Sequence, residues 1–179
     1  AGWHDLDKDG KTGCECQAVS AGGGDTCGGA KDLGPLADSG GSLAFKGNLI
    51  PAGKVEWFRF TGSDNVTEDN SVGNDKYHVT VKVLSNPGNQ YELDIYIDDC
   101  GQPNPFQKCD SFDWYTDFAS ADANGPVGES PCTTLNNPTV PHCQDDTHTY
   151  MIKVSRAAGA TATCEQFELE ISNGKYHTP

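Results

Sequence analysis

Asp5-Leu6-Asp7-Lys8-Asp9-Gly10 places three carboxylates at alternate positions ahead of a glycine, which is the front half of a loop that surrounds a hard divalent cation. Oxygens at positions one, three and five converge on one ion, the carbonyl at position seven, here Lys11, adds a ligand, and the glycine permits the bend between them. The back half departs from the EF-hand pattern. Position twelve, where a bidentate Glu closes an EF-hand, is Cys16, and Glu15 falls one residue short. The expectation is a calcium site outside the EF-hand class, formed by Asp5, Asp7, Asp9 and the Lys11 carbonyl. Glu15, or an acid from elsewhere in the fold, would close it. Asp98, Asp99, Asp145 and Asp146 are the candidates for an outside acid, and each is equally an ordinary turn residue. The alternative for the whole loop is a solvated acidic turn.

Eight cysteines accompany a single methionine. Reducing compartments rarely hold proteins with so many thiols, and an even count in a loop-rich chain points to disulfides formed after export. Residue 1 is Ala and no apolar run reaches the ~20 residues of a membrane span, so an extracellular or cell-surface chain whose leader has been removed is expected. Zinc is the competing use of these thiols. Cys14, Cys16 and Cys27 match no common zinc spacing, His142 beside Cys143 is incomplete, and no CxxC pair exists. Disulfides are therefore favoured for all eight. Cys100 with Cys109 and Cys132 with Cys143 suit short local loops, which leaves Cys14, Cys16, Cys27 and Cys164 to share two longer links; spacing alone does not choose among the connectivities.

Charge narrows the partners. Twenty-six acidic and twelve basic side chains give a formal net charge of -14, which repels nucleic acid and anionic membrane surfaces because both need a basic footprint. Neither nucleic-acid binding nor membrane insertion is expected. HExxH, GxSxG and GxGxxG are absent, and the five histidines show no metal-pair or base–nucleophile spacing. Paired carboxylates of a glycosidase would not show in sequence, but the expectation is a non-catalytic chain. His78 falls on the polar side of its strand, and Asn65-Val66-Thr67 is a glycosylation triplet to which no role is assigned.

Alternating apolar residues supply the elements that must position the loop. Tyr77, Val79, Val81 and Val83 share one face, as do Tyr91, Leu93, Ile95 and Ile97, and Asn86-Pro87-Gly88-Asn89 between them suggests an antiparallel hairpin. Phe58 with Phe60, then Tyr150, Ile152 and Val154, then Phe167, Leu169 and Ile171, and finally Leu43 with Phe45 repeat the period of two. No window of useful length repeats apolar residues at spacings of three and four, and 21 glycines with ten prolines punctuate the chain. The fold class expected is all-β, an antiparallel sandwich or jelly roll. Residues 1–35 form an extended lead-in containing the acidic loop and the linker-like run Gly22-Gly23-Gly24. Residues 36–174 form the sandwich and 175–179 a tail. Residues 98–148 form a long, disulfide-stapled connection with five aromatics, Phe106, Phe112, Trp114, Tyr115 and Phe118. Alternation over Asp113–Ala119 suggests an extra strand inside it.

Four stretches carry a family resemblance: Cys27-Gly28-Gly29-Ala30-Lys31-Asp32-Leu33-Gly34, Gly53-Lys54-Val55-Glu56-Trp57-Phe58-Arg59-Phe60, Tyr91-Glu92-Leu93-Asp94-Ile95-Tyr96-Ile97, and Tyr150-Met151-Ile152-Lys153-Val154. Together they resemble the bacterial pre-peptidase C-terminal (PPC-like) domain, a jelly-roll-like sandwich attached to many secreted proteases and surface proteins. The resemblance spans most of residues 27–173. Glu56 stands where the family usually has Asp. It implies an accessory module without catalysis, in some members with calcium where an amino-terminal linker meets the sandwich. Two functions are compatible with these features. One is an extracellular structural or assembly subunit whose partners are copies of itself or another extracellular protein. The other is a carbohydrate- or protein-binding accessory module of a secreted hydrolase, using outward aromatics such as Trp57, Trp114 and Tyr115.

Overall fold

The computed structural model describes residues 2–65, 77–101, 103 and 147–174 in full, and 107–108 and 113–115 through their backbone. Every regular element among them is a strand or a one-turn 3-10 helix. The strands are β1 (Trp3–His4), β2 (Cys16–Gln17), β3 (Lys31–Ala37), β4 (Ser42–Gly47), β5 (Glu56–Ser63), β6 (Val79–Ser85), β7 (Tyr91–Ile97), β8 (Gln107–Lys108), β9 (Asp113–Tyr115), β10 (His148–Arg156) and β11 (Phe167–Asn173). They form a four-stranded sheet in the order β3-β5-β10-β7, a five-stranded sheet in the order β4-β11-β6-β9-β8, and a separate hairpin of β1 and β2. The all-β sandwich expected from the alternation is the fold observed.

Its core is the set of inward positions on both large sheets. Phe58, Phe60, Ile95, Tyr150, Ile152 and Val154 from the four-stranded sheet meet Val79, Val81, Phe167, Leu169 and Ile171 from the five-stranded one. Each such side chain contributes about 1.5–3 kcal/mol when fully buried. Phe45 lies against Phe58 with ring centroids 4.4 Å apart, and Tyr91 meets Phe167 edge-on at 5.2 Å, so aromatic pairs join the two sheets.

Two strand pairings differ from expectation. Residues 77–84 and 91–97 do form strands, but β6 pairs with β11 and β9 while β7 pairs with β10, so they are not a hairpin. Each strand presents an apolar face to the one core from opposite sides, which requires the chain to cross the sandwich between them. Asn86 holds the crossing: its Oδ1 accepts the Tyr91 N–H at 3.0 Å and its Nδ2 donates to the Tyr91 carbonyl at 2.9 Å, replacing a cross-strand peptide. Gly88 and Asn89 take φ of 62° and 52°, the left-handed region these two residues tolerate. The second difference is β3, which runs parallel to β5. The intervening β4 lies in the other sheet, and a chain that crosses twice returns in its starting direction. The expected strand over 113–119 is observed as β9 at Asp113–Tyr115, opposite Thr80 and Val81; Phe106, Phe112 and Phe118 lie outside the described residues.

The lead-in is docked on its own sandwich. Asn48, buried just after β4, accepts the Val19 N–H at 2.9 Å through Oδ1 and donates through Nδ2 to the carbonyls of Gln17 and Cys164 at 3.0 and 3.2 Å, while its own N–H reaches the Val19 carbonyl at 2.7 Å. Glu56, fully buried, takes the Ser20 hydroxyl at 2.6 Å, the Lys54 ammonium at 2.7 Å and the Ala21 N–H at 3.1 Å. Beyond this, Gly24 exchanges two backbone hydrogen bonds with Trp57 at 2.8 and 2.9 Å. Residues 18–24 thus seal the seam between β4, an edge strand of one sheet, and the start of β5 in the other, ahead of the point where β3 pairs with it. At the far end of the sandwich Asn173 is used in the same way, accepting the His78 N–H and donating to the carbonyls of Leu36 and Ser63.

Close approach explains Gly23 and Gly24, and a φ of 89° explains Gly22, so the glycine run is no linker. A Cβ on Gly23 would stand 2.6 Å from Glu56 Cβ and 2.8 Å from Phe58 Cζ, and one on Gly24 would overlap the Gly29 carbonyl. Gly24→Ala is accordingly expected to destabilise the protein by about 1–3 kcal/mol, the range for overpacking, seen as an earlier urea midpoint.

Two disulfides fasten the lead-in, Cys16–Cys164 and Cys27–Cys100. The second corrects the expected Cys100–Cys109 pair: the lead-in brings Cys27 to the end of β7, so Cys100 is taken by a distant partner. Cys14, expected in a disulfide, carries a free thiol. It sits in the exposed loop ahead of β2, where Gly13 at φ 80° turns the chain, while Cys16 on the strand is the one buried against the sandwich. Cys109, Cys132 and Cys143 lie outside the described residues.

Candidate metal centre

Strand pairing explains how the acidic loop closes. β1 and β2 pair Trp3 with Gln17 and His4 with Cys16. One step further along this antiparallel register, Asp5 stands opposite Glu15. The loop is therefore the turn of a hairpin, and its closing acid is set by cross-strand register and not by the EF-hand count of twelve. One carboxylate oxygen from each of Asp5, Asp7 and Glu15 lies within 4.8 Å of the others. Two ligands of one calcium ion are separated by at most about 5 Å, twice the usual Ca–O distance. The triad fits inside such a coordination sphere.

The loop backbone aims these oxygens. Asp5 Oδ1 accepts the Lys8 N–H at 2.5 Å, and Lys8 itself takes φ of 59°. Asp7 Oδ1 accepts the Asp9 N–H at 2.8 Å and the Thr12 hydroxyl at 3.1 Å, and Glu15 Oε2 accepts the Leu6 N–H at 3.2 Å. The Asp9 N–H, helped by Thr12, holds the Asp7 carboxyl below its ordinary value of 3.8, because both donors favour the charged form. Among the described residues no ion pair engages Asp5, Asp7 or Glu15. Three converging carboxylates could together hold a cation with oxygen preference.

Asp9 and Lys11, also expected in the ligand set, make hydrogen bonds within the turn. Asp9 Oδ1 accepts the Lys11 N–H at 3.0 Å, and the Asp9 carbonyl takes the Thr12 N–H and hydroxyl. Asp9 thus shapes the turn that delivers Thr12 to Asp7, and Lys11 enters as the donor to it. Of the outside acids, Asp98 binds His148 Nδ1 at 2.8 Å and the Thr149 N–H at 3.0 Å, and Asp99 takes the Gly101 N–H at 2.7 Å. Both serve the junction at the end of β7. Asp145 and Asp146 lie outside the described residues.

The aromatic candidates are dispersed over the structure. Trp57 is half-buried on β5 with its ring against Tyr96, centroids 5.3 Å apart, so part of its face is already occupied. Trp114 and Tyr115 hold register positions on β9 opposite Val81 and Thr80. Asn48, Glu56 and Thr12 give no signal in the sequence that identifies their roles. No family model, curated protein or solved structure matches the chain.

Proposed function

We propose that the chain is a secreted, non-catalytic, calcium-stabilised β-sandwich that serves as an extracellular structural or assembly subunit. The observation that carries this is the convergence of Asp5, Asp7 and Glu15 on a hairpin that Cys16–Cys164 fastens to the sandwich. Calcium would offset two of the three carboxylate charges and turn a polar loop without a core of its own into a rigid one. Disulfides on the lead-in support an oxidising compartment, and no helix among the described residues is long and apolar enough to cross a membrane. The sandwich itself is what the resemblance to the pre-peptidase C-terminal domain implies.

Thermal unfolding with calcium and with chelator tests the proposal. Saturating calcium should add about 2–3 kcal/mol at a ligand concentration near a hundred times Kd, and Asp7→Asn should abolish the gain. The sign with pH follows from Asp7. Its carboxyl, held below the ordinary value of 3.8, is charged at neutral pH, so the Asp7 share of the calcium increment is present above 3.8 and is lost as pH falls through the lowered value. A melting temperature indifferent to calcium at neutral pH would contradict the proposal.

A further inference from the structure

The seam between β4 and β5 is a docking groove already shown to accept an extended segment, residues 18–24 of the same chain. We infer that the amino-terminal arm, residues 2–27, also docks in the seam of a second copy, so that copies assemble by exchanging arms. This inference rests on the chain being an assembly subunit, and it names the partner and the site.

Every tie of the arm is made to the body of the sandwich: Cys16 to Cys164, Cys27 to Cys100, Val19 and Gln17 to Asn48, Ser20 and Ala21 to Glu56, Gly24 to Trp57. None of these contacts depends on arm and body being covalently continuous. An exchanged pair reproduces each of them, which makes exchange of an identical element an inexpensive route to association. The arm also has little apolar content to hold it by itself. Ala21 and the buried Cys16 are the side chains it packs on the sandwich, and its hairpin has two residue pairs.

A hinge lies where exchange needs one. The chain reverses in the one-turn helix Cys27–Gly29 before β3 begins at Lys31, and that turn is held by the Gly29 N–H to Thr26 and the Ala30 N–H to Cys27, each at 3.1 Å. Extending it at Gly28-Gly29 gives up those bonds and the packing of Gly24 on Gly29, and all else is remade on the neighbour. Docking within one chain has the advantage of effective concentration, and the net charge of -14 repels copies. Exchange therefore belongs to crowded, screened conditions during oxidation. Each inter-chain bond forms as two thiols surrender two protons and two electrons to a disulfide such as oxidised glutathione, as in the unexchanged form. Once formed, it traps the assembly.

The test refolds reduced full-length chain at high concentration in glutathione redox buffer and physiological salt, from an equal mixture of ¹⁵N-labelled and unlabelled protein. Non-reducing electrophoresis should show covalent dimers and larger species. In these, about half of the linked Cys16–Cys164 and Cys27–Cys100 peptides should join a heavy to a light chain, the statistical result for exchange. Linked peptides that are only heavy–heavy or light–light at every concentration would overturn the inference. If oligomers then still form without covalent links, arm exchange fails while the assembly function stands.

Discussion

Asn48→Ala is expected to lower the free energy of unfolding by about 3–5 kcal/mol, with the urea midpoint falling and the slope unchanged. The Asn48 amide satisfies one N–H and two carbonyls from two separated segments, Val19 and Gln17 on the lead-in and Cys164 before β11. Removing it strands these groups at a site that is 1 % exposed, where each unsatisfied group costs about 1–3 kcal/mol. Asn48→Asp is the sharper control, since it keeps the acceptor and loses both donors. A loss below about 1 kcal/mol for Asn48→Ala would show that water replaces the amide, and that the arm is held by its disulfides and by the Glu56 and Trp57 contacts.

The second large effect belongs to Cys16 and Cys164. Replacing both with Ser should cost about 2–5 kcal/mol, because the bond closes a loop with a sequence separation of 148 and so restricts much of the unfolded chain. It should also weaken calcium binding. Cys16 sits on β2 beside the residue that closes the acidic loop, so without the tether the ion must order the hairpin as well as bind it. Thermal unfolding and calcium titration of the double Ser variant measure the two effects separately. Unchanged calcium affinity would show that the hairpin is ordered by its own pairing.

Legibility in the sequence followed the range of the interaction. Period-two alternation located β4, β5, β6, β7, β10 and β11, because inward and outward positions are set by neighbouring residues. It did not reveal that β6 and β7 belong to different sheets, since Asn86-Pro87-Gly88-Asn89 serves a crossing as well as a hairpin. β3 was hidden by Gly34 and Pro35, which break its alternation, and β1 and β2 by their length. The acidic loop was visible from spacing, and Glu15 as one possible closing residue. Choosing it required the register of Trp3 with Gln17, a pairing between two-residue strands that no local pattern marks. Cys27–Cys100 escaped for a related reason: the nearest cysteine in sequence, Cys109, is the natural partner until the lead-in is known to cross the sandwich. Gly22-Gly23-Gly24 carries the same lesson, because flexibility and close approach select the same residue.

Calorimetric titration of calcium into the chelator-stripped, oxidised full-length chain tests the central claim most directly. One ion should bind per chain, and Asp7→Asn combined with Glu15→Gln should abolish the heat while the sandwich keeps its cooperative unfolding. Absence of binding to the native chain, or equal binding by the double variant, would contradict the account.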